Sequence, residues 1–205
     1  MKEEGSSRIS NEEKNMEKSI EVYHAGFEEI RIPDVHFGRK KADFGQGFYL
    51  SDDLQFSLRW SKQQAGRRSV INCYSLDLTG LKILTLQRDR QWFEYIFSNR
   101  HGQKDSHAEY DVIVGPIAND MIYDTLGIMT SGLLSDQEAF RLLQIGREYS
   151  QIVLKTQKAA DQLKFSNLRE ASADELQLYH DSVMQEQQQY QQQLAEQLSI
   201  ILDEQ

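Results

Sequence analysis

Apolar and polar residues alternate from Ile20 to His24, the two-residue period of a strand: Ile20, Val22 and His24 fall on one side, Glu21 and Tyr23 on the other. A second short strand is predicted at "GFYLS", Gly47–Ser51. It runs directly into "DLQFSLRWSKQQAG", where Leu54, Leu58 and Ala65 recur at helical spacing behind a capping Asp52 or Asp53. "SVINCYSLDL" and "LKILTL" read as a hairpin turning at Thr79-Gly80. "RQWFEYIFSNR" predicts an amphipathic helix, and "YDVIVGPI" a buried strand ended by Gly115-Pro116. "NDMIYDTLGIMTSG" and "SDQEAFRLLQIG" predict two helices, the second opened by Ser135 with Glu138 as a capping box. "YSQIVLKT" predicts a strand and "QKAADQLKF" a short helix. Strands and helices without regular alternation indicate an α+β fold.

Three regions follow from the same pattern. Residues 1–19 are polar and lack periodicity, which predicts a flexible N-terminal extension. Residues 20–170 form the domain. Residues 171–205 are acidic and glutamine-rich. Within them Leu176, Tyr179, Val183, Tyr190, Leu194, Leu198 and Ile201 recur at steps near three and four, with Gln187 interrupting the stripe. One long helix is expected there, packed on the domain, on a partner or on a second copy of itself.

Charge sharpens this division. The net charge is −9, yet residues 171–205 hold seven acids and no Lys or Arg, so the tail carries most of it. Residues 31–68 hold eight Lys/Arg against four Asp, a local surplus suited to an anionic ligand. Apolar residues at 39% are enough for a real core. A single cysteine, Cys73, excludes a disulfide framework within the chain and fits a reducing cytoplasm. No apolar run reaches membrane-spanning length, and no secretory h-region is present, so no membrane association is expected. The histidines have no metal-ligand spacing with one another or with Cys73, so no metal is assigned.

The chemistry centres on "GQGFYLSDDLQFSLRW". Gly45 and Gly47 permit close approach to the backbone. Tyr49 projects from the strand, and Ser57 and Trp60, three apart, share a face of the following helix. Two aromatic rings with a hydroxyl between them suit a flat ring bearing an amide.

This stretch resembles the second motif of the ADP-ribosyltransferase superfamily. Gly45, Gly47, Tyr49, Ser57 and Trp60 match the spacing of its poly(ADP-ribose) polymerase branch, with Trp60 where tyrosine is usual. "VYHAG" resembles the first motif, with His24 followed by Ala25 in place of glycine. "YSQIVLKT" resembles the third, with Gln151 where a glutamate is usual. "VYHAG", "IPDVHFGRKKADFGQGFY", "YDVIVGPIAND" and "SQIVLKTQKAADQLKF" together, about residues 20–168, resemble the bacterial domain-of-unknown-function family 3990, regarded as a divergent ADP-ribosyltransferase often encoded in toxin-like settings.

The resemblance implies a split β-sandwich binding NAD. His24, Tyr49 and Gln151 would form the catalytic triad, and Ala25, Arg39, Gly45, Gly47, Ser57 and Trp60 would complete the NAD site. Arg39 would clamp the pyrophosphate. The expected activity is mono-ADP-ribosylation of a protein or nucleic-acid acceptor in a toxin-like effector, with an antitoxin or a second copy of the chain as alternative partners of the 171–205 helix. An amide at 151 can hold a ribose hydroxyl but brings no negative charge, so a weak or inactive binding module and an NAD glycohydrolase stay open as alternatives. Read from residues alone, His24 can equally be a bonded strand-end histidine, Tyr49 and Trp60 core aromatics, Gln151 a solvated strand residue and Arg39 a surface charge. Asp111, Asn119 and Asp120 are candidates for the acceptor side or for a structural turn.

Overall fold

The computed structural model describes residues 19–61, 67–118 and 134–203. The expected flexible extension and the helix expected at "NDMIYDTLGIMTSG" lie almost wholly outside these residues. The fold is α+β, with two sheets. The first has the order β1 (Ser19–Gly26), β3 (Val70–Asp77), β7 (Leu163–Glu170), all antiparallel. The second runs β2 (Phe48–Leu50), β6 (Ser150–Leu154), β5 (Val112–Pro116), β4 (Ile83–Thr85), with β4 and β5 parallel and the other pairs antiparallel. The helices are α1 (Leu54–Trp60), α2 (Arg90–Arg100), α3 (Asp136–Leu143), α4 (Gln157–Ala160) and α5 (Ala173–Asp203).

Alternation along β6 divides the core. Ile152 and Leu154 face the first sheet and join Val22, Phe48, Tyr74 and Leu76 between the sheets. Val153 faces the other way, into a second cluster with Trp92, Ile96, Ile113 and Leu142 under the helices. Tyr49 lies opposite Val153 in the β2–β6 register, so Tyr49 and Gln151 share that second face.

Local signals define the helices well. Asp53 caps α1 by accepting from the Gln55 and Phe56 amides, and Asp89 caps α2 through the Trp92 amide. The Ser135–Glu138 capping box opens α3 as expected. Ser172 and Glu175 make another at α5: the Glu175 amide donates to Ser172 Oγ, and the Ser172 amide to Glu175 Oε2.

Two expectations fail. The hairpin across Thr79-Gly80 does not form, because β3 already has β1 on one edge and β7 on the other. The chain instead turns at Gly80, with φ +71°, and delivers β4 to the second sheet. The helix at "QKAADQLKF" stops at Ala160, and Leu163–Glu170 is a strand paired with β3. Pairing with a central strand outweighs the helix propensity of a Lys- and Leu-containing segment.

The apolar stripe of α5 is used within the chain. Tyr190 and Ile201 are buried in the helix-side cluster, with Leu194 and Leu198 packed against it. Among the described residues, no helix is long and apolar enough to cross a membrane.

The glycines of "GQG" are required by the chain's own packing. Gly45 has φ +71°, and a Cβ there would come 3.1 Å from Lys155 Nζ and 3.2 Å from Asn99 Oδ1. A Cβ on Gly47 would lie 2.6 Å from the Leu154 carbonyl oxygen and 2.7 Å from Val153 Cγ1. Gly47→Ala is therefore expected to cost about 2–3 kcal/mol through overpacking against β6, read as a lower midpoint in urea unfolding.

Candidate functional site

Among the described residues, the two sheets meet edge to edge at Tyr23 and Ser51. Tyr23 and Ser51 exchange backbone bonds of 2.8 and 3.0 Å, and the strands part beyond them. His24 occupies the parting: its Nδ1 lies 2.8 Å from the Tyr49 carbonyl, and its ring stacks on Phe48 with centroids 4.5 Å apart. A carbonyl only accepts, so Nδ1 carries the proton and Nε2 presents a lone pair. Among the described residues, Nε2 has no hydrogen-bond partner.

The split opens into a cleft of about 1800 Å³. His24, Ala25, Arg39, Gly47, Tyr49, Ser57, Trp60 and Gln151 all line it. They arrive from β1, the long loop after it, β2, α1 and β6. Gly45 does not line the cleft; its carbonyl instead accepts the Tyr49 hydroxyl at 2.7 Å. This corrects the expectation that both glycines admit a ligand. The bareness at 45 and 47 folds the loop, and the loop then frames the cleft.

Tyr49 has a double role in that frame. Its hydroxyl donates to the Gly45 carbonyl and accepts from the Phe44 amide at 3.0 Å. Burial pushes the hydroxyl pKa up, so it remains a protonated phenol. The ring still lines the cleft. Trp60, at the last turn of α1, is 51% exposed and rests against Phe56 with centroids 5.9 Å apart. Ser57 is buried at 4% exposure, and among the described residues nothing bonds its hydroxyl. Arg39 is exposed and makes no salt bridge among the described residues.

Gln151 is only 5% exposed, far from a solvated strand residue. Its Nε2 lies 3.4 Å from Asp43 Oδ2, and among the described residues Oε1 has no partner. Asp43, which the spacing of the motif did not single out, pairs with Arg100 at 2.6 Å. Burial raises the Asp43 pKa, and the Arg100 guanidinium opposes that rise.

The tail helix also reaches the cleft, another feature the sequence pattern did not reveal. Glu186 accepts from Arg59 Nη1 and Nη2 at 2.8 and 2.6 Å, and from the Tyr149 hydroxyl at 2.7 Å. Burial raises its pKa, but these donors outweigh that and hold the carboxyl below its ordinary value. The Arg59 guanidinium also lies 4.8 Å over the Tyr149 ring. Wall helix α1, the residue that leads into β6 and tail helix α5 are thereby tied together.

Asp111 lies outside the cleft lining. Its carboxylate accepts from the Lys82 amide, Thr156 and Lys158, with the Lys158 bond foremost in holding its pKa down to about 2. It staples the start of β5 to the segment around α4, the structural one of its two expected roles. Asn119 and Asp120 lie outside the described residues.

Burial lowers the His24 pKa, against a smaller opposing contribution from the Tyr49 carbonyl. The unfolded chain takes up this proton first, near pH 6.5. The stability that His24 contributes is thus complete above about pH 6.5 and lost as pH falls through its lower folded value. His24→Gln should flatten the decline in Tm below about pH 6.5 relative to the unchanged chain.

The fold and cleft define a two-sheet α+β domain with a histidine at the split and a buried amide lining the same cleft. The chain belongs to the family described as a protein of unknown function (DUF3990), whose model matches residues 20–165. No curated protein matches it.

Proposed function

We propose that this protein is an NAD-dependent mono-ADP-ribosyltransferase of the toxin-like kind. One observation carries the reading: His24, Ser57 and Gln151, from distant parts of the chain, line one cleft, and Nε2, Oγ and Oε1 of these residues have no partners among the described residues. That is the donor–acceptor set a nicotinamide riboside needs. Ser57 would bond the nicotinamide amide beside the Ala25 backbone, and the Tyr49 and Trp60 rings would flank the nicotinamide. His24 and Gln151 would accept ribose hydroxyls, and Arg39 at the cleft wall would meet the pyrophosphate.

The bond between the nicotinamide nitrogen and the ribose carbon breaks with its electron pair going to nitrogen. This discharges the pyridinium and leaves the carbon electron-poor. A nucleophile of the acceptor gives that carbon an electron pair and loses its proton. The protein's contribution is to orient the ribose, to offer the Gln151 oxygen to hydroxyls that grow more acidic, and to exclude water.

A second reading, an NAD- or partner-binding module without turnover, is favoured by the uncharged amide at 151. Incubating purified protein with labelled NAD, with and without cell lysate, separates the readings. Transferase activity gives free nicotinamide and a labelled macromolecule. Hydrolysis gives free ADP-ribose without lysate. Neither product from a folded protein overturns the transferase reading.

A further inference from the structure

We propose that Asp43 is the positioning residue for Gln151, fixing the amide with its nitrogen inward and its oxygen toward the cleft. Its consequence for turnover rests on the transferase reading above.

The geometry assigns each carboxylate oxygen. Oδ1 takes Arg100 Nε at 2.8 Å and Nη2 at 2.6 Å. Oδ2 takes the Ala118 amide at 3.2 Å and Gln151 Nε2 at 3.4 Å. A carboxylate held against a guanidinium is ionised and can only accept. The opposite orientation of Gln151 would press Oε1 against Oδ2, two buried acceptors with no proton between them. The amide nitrogen is therefore held inward, and Oε1 is the atom left for a ligand hydroxyl.

Asp43 is itself anchored. Asn99 Nδ2 donates to its carbonyl at 3.1 Å, and the Phe44 amide and carbonyl that follow are tied to Tyr49 and Lys155. Arg100 also donates to the Ala118 carbonyl at 2.7 Å. The "DFGQG" turn thus carries a carboxylate from a different part of the chain to the place behind residue 151. Because Arg100 balances its charge, Asp43 contributes orientation.

The consequence is specific. A glutamate at 151 would place a second carboxylate against Asp43, and two buried carboxylates at this distance do not both ionise without cost. Moving the charge restores the contact between positions 43 and 151 at the expense of the Ala118 amide's bond to Oδ2. With D43N and Q151E together, the amide introduced at position 43 donates to the carboxylate introduced at position 151, and the net charge is unchanged.

The test compares the unchanged chain, D43N, Q151E and D43N/Q151E for Tm and for nicotinamide release from NAD. Q151E alone should lower Tm at pH 7.5 and slow release at least about tenfold. The double variant should regain more than half of the Tm loss and release nicotinamide within about tenfold of the unchanged chain. Single effects that simply add in both measurements would overturn the proposal, as would Q151E alone outpacing the unchanged chain. An unchanged chain that releases no nicotinamide defeats the transferase reading, and with it the role of Asp43 in turnover. The thermal comparison would still decide whether the two side chains are paired.

Discussion

Gln151→Ala is expected to slow nicotinamide release from NAD by about a hundredfold, the low end of the loss from removing one group aimed at developing charge. The affinity for NAD should fall by no more than about tenfold, the scale of a single neutral hydrogen bond. The split follows from where the amide sits. Gln151 is buried at 5% exposure, its nitrogen turned to Asp43, so its oxygen is pre-placed and costs little to order. A neutral acceptor helps a ribose whose hydroxyls become more acidic as nicotinamide departs, but less than a carboxylate would. Single-turnover kinetics beside a direct binding titration measures both quantities. A variant as fast as the unchanged protein, or one impaired only in affinity, would remove Gln151 from the reaction.

The second large effect concerns the tail. A chain ending at Ser172 should show no cooperative thermal transition and should aggregate, because α5 supplies part of the main core. Ile201 is 0% exposed, and Tyr190 belongs to the same buried cluster as Trp92 and Leu142. Ile201→Ala alone should cost about 2–5 kcal/mol, and removing the helix would expose that whole surface of a domain whose total stability is about 5–15 kcal/mol. The truncation also removes Glu186, leaving Arg59 without its bidentate partner beside the cleft. A soluble truncated chain with an unchanged Tm would mean that the tail is an independent appendage.

What the sequence revealed and what it concealed divide along physical lines. The limits of α2 and the capping boxes at Ser135 and Ser172 depend on neighbours within a few residues, and the first two were legible in the sequence. The strand Leu163–Glu170 depends on a free edge of β3 that only the assembled sheet provides. The Thr79-Gly80 turn looked like a hairpin because a local turn signal cannot tell which sheet receives the next strand. In the candidate site, eight of the nine expected residues line the cleft, and Gly45 alone does not. Motif spacing brought together in one cleft the residues whose direction strand and helix periods fix, such as Tyr49 and Ser57. Asp43 and Glu186 stayed hidden because their approach to Gln151 and Arg59 depends on long-range packing.

The "GQG" turn links these observations. Its glycines are demanded by Asn99, Lys155 and β6, and by satisfying them the turn sets Tyr49 in the wall and Asp43 behind Gln151. A single segment thereby joins folding to the proposed chemistry.

A crystal structure of the protein at saturating NAD tests this account most directly. The nicotinamide ring should lie between Tyr49 and Trp60, with its amide on Ser57 and ribose hydroxyls on His24 Nε2 and Gln151 Oε1. An empty cleft at saturating NAD, or the dinucleotide bound elsewhere on the surface, would contradict it.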